Sequence, residues 1–186
     1  MATTSSQVKR TYQAALSKDK ERKEPRHGLA CEYLTFWMIE KLVFPYYRHN
    51  RNHLSEEDIY RFITGNYNRK DFYLSDYISR PIYDELKSNK YNRSAIKGYA
   101  DVLFGEQGSQ YFLGEVKIYP QSAEEILQQI KFYHSCIPCR QTIIALDFDC
   151  PQLARIVEGT NVSVVRLGEK FEMFANSRNT PQILEI

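Results

Sequence analysis

The stretch Gly98-Tyr-Ala-Asp101-Val-Leu-Phe-Gly-Glu-Gln-Gly-Ser-Gln-Tyr-Phe-Leu-Gly-Glu115-Val-Lys117 constrains this chain more than any other. Two alternating apolar runs flank the turn-like Gln107-Gly108-Ser109, a pattern that predicts a β-hairpin. Glu115 and Lys117 are two apart, so their side chains leave the same face of the second strand. What faces Glu115 depends on the turn. A loop with an odd number of residues centred on Gly108 sets Asp101 directly opposite Glu115, with Cβ atoms roughly 5 Å apart. A two-residue Gly108-Ser109 loop instead pairs Gln107 with Gln110, and Asp101 then lies opposite Val116 and faces away from Glu115. In the first register the two carboxylates repel, and something must offset them: a divalent cation, the Lys117 ammonium or a shared proton. That arrangement suggests a Mg²⁺ or Mn²⁺ site with a lysine beside it. A bare Glu-x-Lys says less, because a chain this charged holds roughly one by chance.

The chain has 186 residues, 42% of them apolar and 13% aromatic, which fits a globular domain with a real core rather than a disordered segment. The expected organisation is a charged arm over residues 1–25, then a single domain over 26–186 with a Tyr-rich helical insertion at about 45–96. The net charge of +2 gives no reason to expect strong non-specific binding to nucleic acid. Lys and Arg are in excess over residues 1–53, including the run Lys18-Asp-Lys-Glu-Arg-Lys23, which reads as a solvated arm. No apolar run reaches transmembrane length and no signal-peptide core is present, so the expectation is a soluble, cytoplasmic protein. In such a compartment Cys31, Cys136, Cys139 and Cys150 would not form disulfides. Four thiolates, three of them in or soon after a C-x-x-C, are able to hold an iron–sulfur cluster or zinc; the alternative is four reduced, mostly buried thiols.

Helical spacing of Cys31, Leu34, Thr35, Met38 and Leu42 predicts a helix from about Gly28 to Phe44, stopped by Pro45. Glu32 shares an adjacent, largely apolar stripe with Phe36, Ile39 and Val43. A carboxylate there is costly unless it binds something, reaches water or pairs with an Arg. Glu40 is the competing acidic residue, nearer the helix exit. A further helix is expected over Val8–Leu16. Ser55-Glu-Glu-Asp58 opens a helix over about 56–64 that ends at Gly65-Asn66. Leu74–Leu86 reads as a helix broken near Pro81. Tyr46, Tyr47, Arg48, Arg51 and His53 mix rings and cations, as suits base stacking and phosphate contact, or equally a tyrosine-rich surface packed on the core. Ser122-Ala-Glu-Glu125 is a capping box that opens a helix to about His134, with Gln129 and Tyr133 one turn apart on one face. Gln141–Asp149 reads as a strand buried on both faces, Pro151–Val157 as a short helix, Val162–Leu167 as a strand and Phe171–Phe174 as an edge strand. Together these make an α/β domain with a mixed sheet flanked by helices.

Four of these pieces, in chain order, resemble the PD-(D/E)XK nuclease superfamily, the restriction-endonuclease-like fold with an α-β-β-β-α-β core. Gly28-Leu-Ala-Cys-Glu32 looks like its first motif, a helix carrying a metal-proximal Glu. Gly98-Tyr-Ala-Asp101 looks like G-x-x-D, Glu115-Val-Lys117 like (D/E)-x-K, and Gln129-Ile-Lys-Phe-Tyr133 like the Q-x-x-x-Y of the RecB-type branch. The resemblance covers about residues 28–148. Two departures are evident. That branch often carries His at the first motif, where this chain has Glu32 with His27 nearby, and Ala100 stands where the family's Pro would. Some members of the branch bind an iron–sulfur cluster through one upstream and three late cysteines. Here the last three follow the Q-x-x-x-Y helix earlier than that pattern wants.

The resemblance implies a metal-dependent nuclease acting on DNA, RNA being the other polymer of the same chemistry. Asp101 and Glu115 would bind Mg²⁺ or Mn²⁺ through hard oxygens, with the carbonyl of Val116 as a further ligand and Glu32 holding a second metal or a metal-bound water. Lys117 would orient the attacking water, and Gln129 and Tyr133 would position the scissile phosphate. Lys117→Ala is expected to keep the fold and lose cleavage. A homodimer would match the two-fold symmetry of duplex DNA. Two other classes compete: a catalytically silent nuclease fold that binds nucleic acid or protein, and a redox or zinc protein built on the cysteines.

Overall fold

A computed structural model of the chain describes residues 21–50, 77–83, 85–86, 96–105 and 110–179. The helices expected over Val8–Leu16 and 56–64, the side chains Arg51 and His53, and the turn Gln107-Gly108-Ser109 lie outside the described residues. Helix α1 (Pro25–Met38) continues through a π-helical turn (Ile39–Val43) into α2 (Phe44–Asn50). Strands β1 (Ile78–Tyr83), β2 (Ile96–Phe104) and β3 (Tyr111–Lys117) follow, then α3 (Ala123–His134), β4 (Cys139–Leu146), α4 (Pro151–Val157), β5 (Val162–Arg166) and α5 (Glu169–Asn179).

The five strands form one sheet in the order β1-β2-β3-β4-β5. Pairing is antiparallel from β1 to β3 and parallel from β3 to β5. The parallel pairs are joined across α3 and α4, as parallel strands require a crossover. On one face α1, α2 and α5 pack through Leu34, Met38, Tyr47 and Phe171 against Val102, Phe112 and Val116. On the other, α3 and α4 pack through Ile126, Ile130 and Leu153 against Leu103, Leu113 and Ile144. Strand β3 is therefore covered on both sides, and all seven of its residues are buried. β4 behaves as its apolar run predicts, with Ile143 in one layer and Ile144 in the other.

Three local expectations are corrected. Pro45 does not stop the first helix: the π turn before it, in which the Phe44 amide bonds to the Ile39 carbonyl, widens the helix where the proline ring would strike the preceding turn. Leu74–Leu86 is not helical over its described part. Ile78–Tyr83 is the outer strand, with Pro81 opposite Tyr99. Proline is tolerated there because an edge strand can spare a ladder donor. Phe171–Phe174 is not a strand but the first turns of α5. Phe171 and Ala175, four apart, both face the core, and the Tyr33 ring lies 5.6 Å from Phe171 and 5.7 Å from Phe174. Tyr46 and Tyr47 follow the packing alternative, Tyr47 buried and Tyr46 edge-on to Phe112. No helix among the described residues is long and apolar enough to cross a membrane.

Gly114 lets α1 approach the sheet closely. A Cβ placed there would lie 2.9 Å from Met38 Sδ, 2.9 Å from Val102 Cβ and 3.0 Å from Leu34 Cδ2. Gly114→Val is expected to overpack this contact and to cost about 1–3 kcal/mol, read as a lower urea midpoint at unchanged slope. A midpoint equal to that of the parent chain would show that α1 can back away from β3.

Candidate functional site

The β2–β3 ladder pairs Val102 with Gly114, Leu103 with Leu113 and Phe104 with Phe112. This is the register of the odd-length loop. Carried one step further, it sets Asp101 opposite Glu115. Past Val102 the Val116 amide donates to Asp101 Oδ2 at 2.9 Å. Asp101, Glu115 and Lys117 are 1%, 0% and 1% exposed. Three charged side chains at such depth must be paired.

The pairing is direct. Lys117 Nζ donates to Glu115 Oε1 at 2.8 Å. Gln129 Nε2 donates to the same oxygen at 2.7 Å and to Tyr133 Oη at 2.7 Å. Tyr133 Oη in turn donates to the Tyr99 carbonyl at 2.9 Å. Burial, reinforced by the Glu115 charge, pushes the Tyr133 phenol well above its usual range, so it keeps its proton and acts as a donor. The helix that presents this pair starts where its capping box predicts. The Glu125 amide donates to Ser122 Oγ at 3.2 Å and the Ser122 amide to Glu125 Oε2 at 3.1 Å. Four of the expected site residues outside β2, namely Glu115, Lys117, Gln129 and Tyr133, thus meet around Asp101 at the carboxyl end of β3.

Two residues that sequence reasoning left out, Glu21 and Arg22, complete the cluster with His27, which it noted only as a neighbour of the first motif. Glu21 is 1% exposed, and its Oε1 accepts the amides of Ile118 at 2.6 Å and Tyr119 at 3.3 Å. Its Oε2 lies 3.9 Å from Lys117 Nζ. Arg22 Nε and Nη2 donate to Asp101 Oδ1 at 3.3 and 3.2 Å. Burial draws the Arg22 pKa down, but Asp101 and Glu115 more than restore it, so the guanidinium is charged. His27 Nε2 is 3.5 Å from Asp101 Oδ2, and its Nδ1 is 3.5 Å from Cys31 Sγ. Glu21 and Arg22 belong to what reads as a solvated arm. A mixed-charge run carries no periodic signal of burial, so nothing local marked them. His27 had one signal, its place beside the first-motif helix start.

Glu32 is not brought into this cluster. Five positions after His27 on α1, it is turned by about 140° around the helix. Its Oε2 lies 3.7 Å from Arg178 Nη2 on α5, the pairing with an Arg that was the alternative for this stripe. Glu40 is exposed and pairs with Lys41. Val116 contributes its amide to Asp101, and its carbonyl leaves the strand on the same edge.

The four cysteines are free, and the sheet divides them. Cys31 belongs to the α1 layer, whereas Cys136, Cys139 and Cys150 lie in or against the α3–α4 layer. A common iron or zinc centre for all four would have to span the sheet. Burial pushes the Cys139 thiol up to about 12, which disfavours the thiolate a metal needs. Among the described residues no three His, Cys, Asp or Glu side chains form a ready metal-binding group. The Asp101 and Glu115 carboxylates are engaged by protein donors instead. Their chemistry nonetheless fits a hard divalent ion: two buried carboxylates from facing strands, with an imidazole at one of them.

Compared with family models, with curated proteins and with solved structures, the chain matches none.

Proposed function

We propose that this chain is a metal-dependent nuclease of the restriction-endonuclease-like fold, hydrolysing phosphodiester bonds in DNA. One observation carries the reading: buried Asp101 and Glu115 face one another across β2 and β3, with Lys117 and Gln129 both bonded to Glu115. No requirement of the fold calls for this set, and stability alone would favour apolar residues at such depth. Asp101, Glu115 and the Val116 carbonyl would hold Mg²⁺ or Mn²⁺. His27 joins them, because it rather than Glu32 reaches Asp101, and because His often stands at the first motif of the RecB-type branch. When bound, the ion would lower the pKa of a water and neutralise charge at phosphorus. Lys117 is held between Glu115 and Glu21, which aims its ammonium and leaves it able to orient the attacking water. Gln129 fixes the Glu115 oxygen, and Tyr133, as a donor, anchors Gln129 to the Tyr99 carbonyl.

The test is cleavage of linear single-stranded, linear duplex and closed circular DNA with Mn²⁺, Mg²⁺ or EDTA, with a Lys117 variant alongside. Metal-dependent cleavage lost in the variant supports the reading, and cleavage of the circle identifies an endonuclease. Cleavage that persists in EDTA sinks it. The exchange of Glu32 for His27 has its own check. His27→Asn is expected to lower metal affinity or activity roughly 10–100-fold, and Glu32→Gln to leave both within about twofold, as suits a half-exposed ion pair outside the cluster. The reverse order would return the first-motif role to Glu32.

A further inference from the structure

Arg22 holds a position that the nuclease reading does not explain, since its guanidinium lies on the carboxylate meant for a metal. Both Nε and Nη2 reach Asp101 Oδ1, while the Val116 amide and His27 approach Oδ2. The forked contact neutralises Asp101 beside Glu115, where two buried carboxylates would otherwise repel. A divalent ion bound to the same carboxylate would bring its charge close to the guanidinium, and their repulsion sets the two in competition for Asp101. An alternative seat adjoins. Arg22 Nη2 also donates to the Tyr99 carbonyl, and the guanidinium carbon stands 5.8 Å from the centroid of the Tyr99 ring, which is partly open to solvent. A guanidinium that leaves Asp101 can remain over that ring.

We propose that Arg22 is a positioning residue that serves as the counter-ion of Asp101 until a divalent cation displaces it, so that guanidinium and metal take turns on one carboxylate. The inference rests on the metal-dependent reading above. Arg22 occupies Asp101 Oδ1 in the metal-free chain, and metal binding carries the cost of breaking that contact. Removing the guanidinium should therefore tighten metal binding even though it removes an ion pair from the fold.

The experiment is a titration of Mn²⁺ into the full chain, with free Mn²⁺ followed by its paramagnetic resonance signal and no nucleic acid present. The parent, Arg22→Gln, Arg22→Lys and Asp101→Asn are compared, each first shown to be folded by circular dichroism. Arg22→Gln is expected to bind on the order of tenfold more tightly than the parent, the low end of what a hydrogen bond to a charged group is worth. Arg22→Lys, which keeps the charge, is expected to restore the weaker parent affinity. A merely structural Arg22 would give weaker binding in Arg22→Gln. Equal or weaker binding in Arg22→Gln overturns this inference alone, provided that the parent binds and Asp101→Asn does not. No binding by the parent or by either Arg22 variant overturns the metal-dependent reading, and this inference with it.

Discussion

Replacing Lys117 with Ala is expected to abolish cleavage and also to cost roughly 3–5 kcal/mol of stability, the usual penalty for removing one partner of a buried ion pair. The ammonium is 1% exposed, bonded to Glu115 and close to Glu21, both equally deep. Without it, two buried carboxylates lose their cation and a cavity is left behind. The sequence alone suggested that the fold would be indifferent to this change, and burial of all three groups is what alters the expectation. The rate term is separate. If the proposed role holds, losing this charge lowers turnover on the order of 10²–10³-fold or more. Urea unfolding and a cleavage assay on the same preparation separate the two effects. A folded variant that cleaves at the parent rate would remove Lys117 from the mechanism and the nuclease assignment with it.

Asp101→Asn should do the opposite: damage the chemistry more than the fold. The amide oxygen can still accept the Val116 N–H, now 2.9 Å from Oδ2, and side-chain volume is conserved. What is lost is charge. Arg22, 20% exposed at its side chain, keeps some access to water, so its stranded guanidinium costs less than a fully buried one. A destabilisation of about 1–3 kcal/mol is expected, the value of a hydrogen bond to a charged group. Activity is expected to fall below detection, because a neutral amide is a poor ligand for a hard divalent ion. Thermal melting and the DNA assay with Mn²⁺ decide it. Cleavage within tenfold of the parent would mean that Asp101 holds no metal.

What was legible in the sequence was local. Glu115 and Lys117 share a face because strand geometry demands it, and Gln129 and Tyr133 stack because helix geometry does. Ser122 and Glu125 announced the start of α3 for the same reason. The register at Asp101 was reduced to two alternatives, and only the ladder through Val102 and Gly114 separates them. The stripe holding Glu32 was also visible, but which helix would lie against it was not. The arrival of α5 and Arg178 turned that carboxylate away from the site. Pro45 misled because a proline signal is read against a regular α-helix, and the preceding turn is not one. Glu21 and Arg22 were illegible, for a run of alternating charge looks the same whether it faces water or a buried carboxylate of opposite sign.

The contacts that converge on Asp101 and Glu115 differ greatly in the length of chain they close. Arg22 and Asp101 are 79 residues apart, and Glu21 and Ile118 are 97 apart. Lys117 and Glu115 are two apart. Loop-closure entropy makes the distant contacts the slower to form and the local one nearly immediate. Sequence separation alone therefore favours the two acids of the hairpin meeting before residues 21 and 22 reach them. The lysine carried on the same strand is the cation nearest in sequence, so the charge that pairs with Glu115 in the folded chain is also at hand when the two strands first meet.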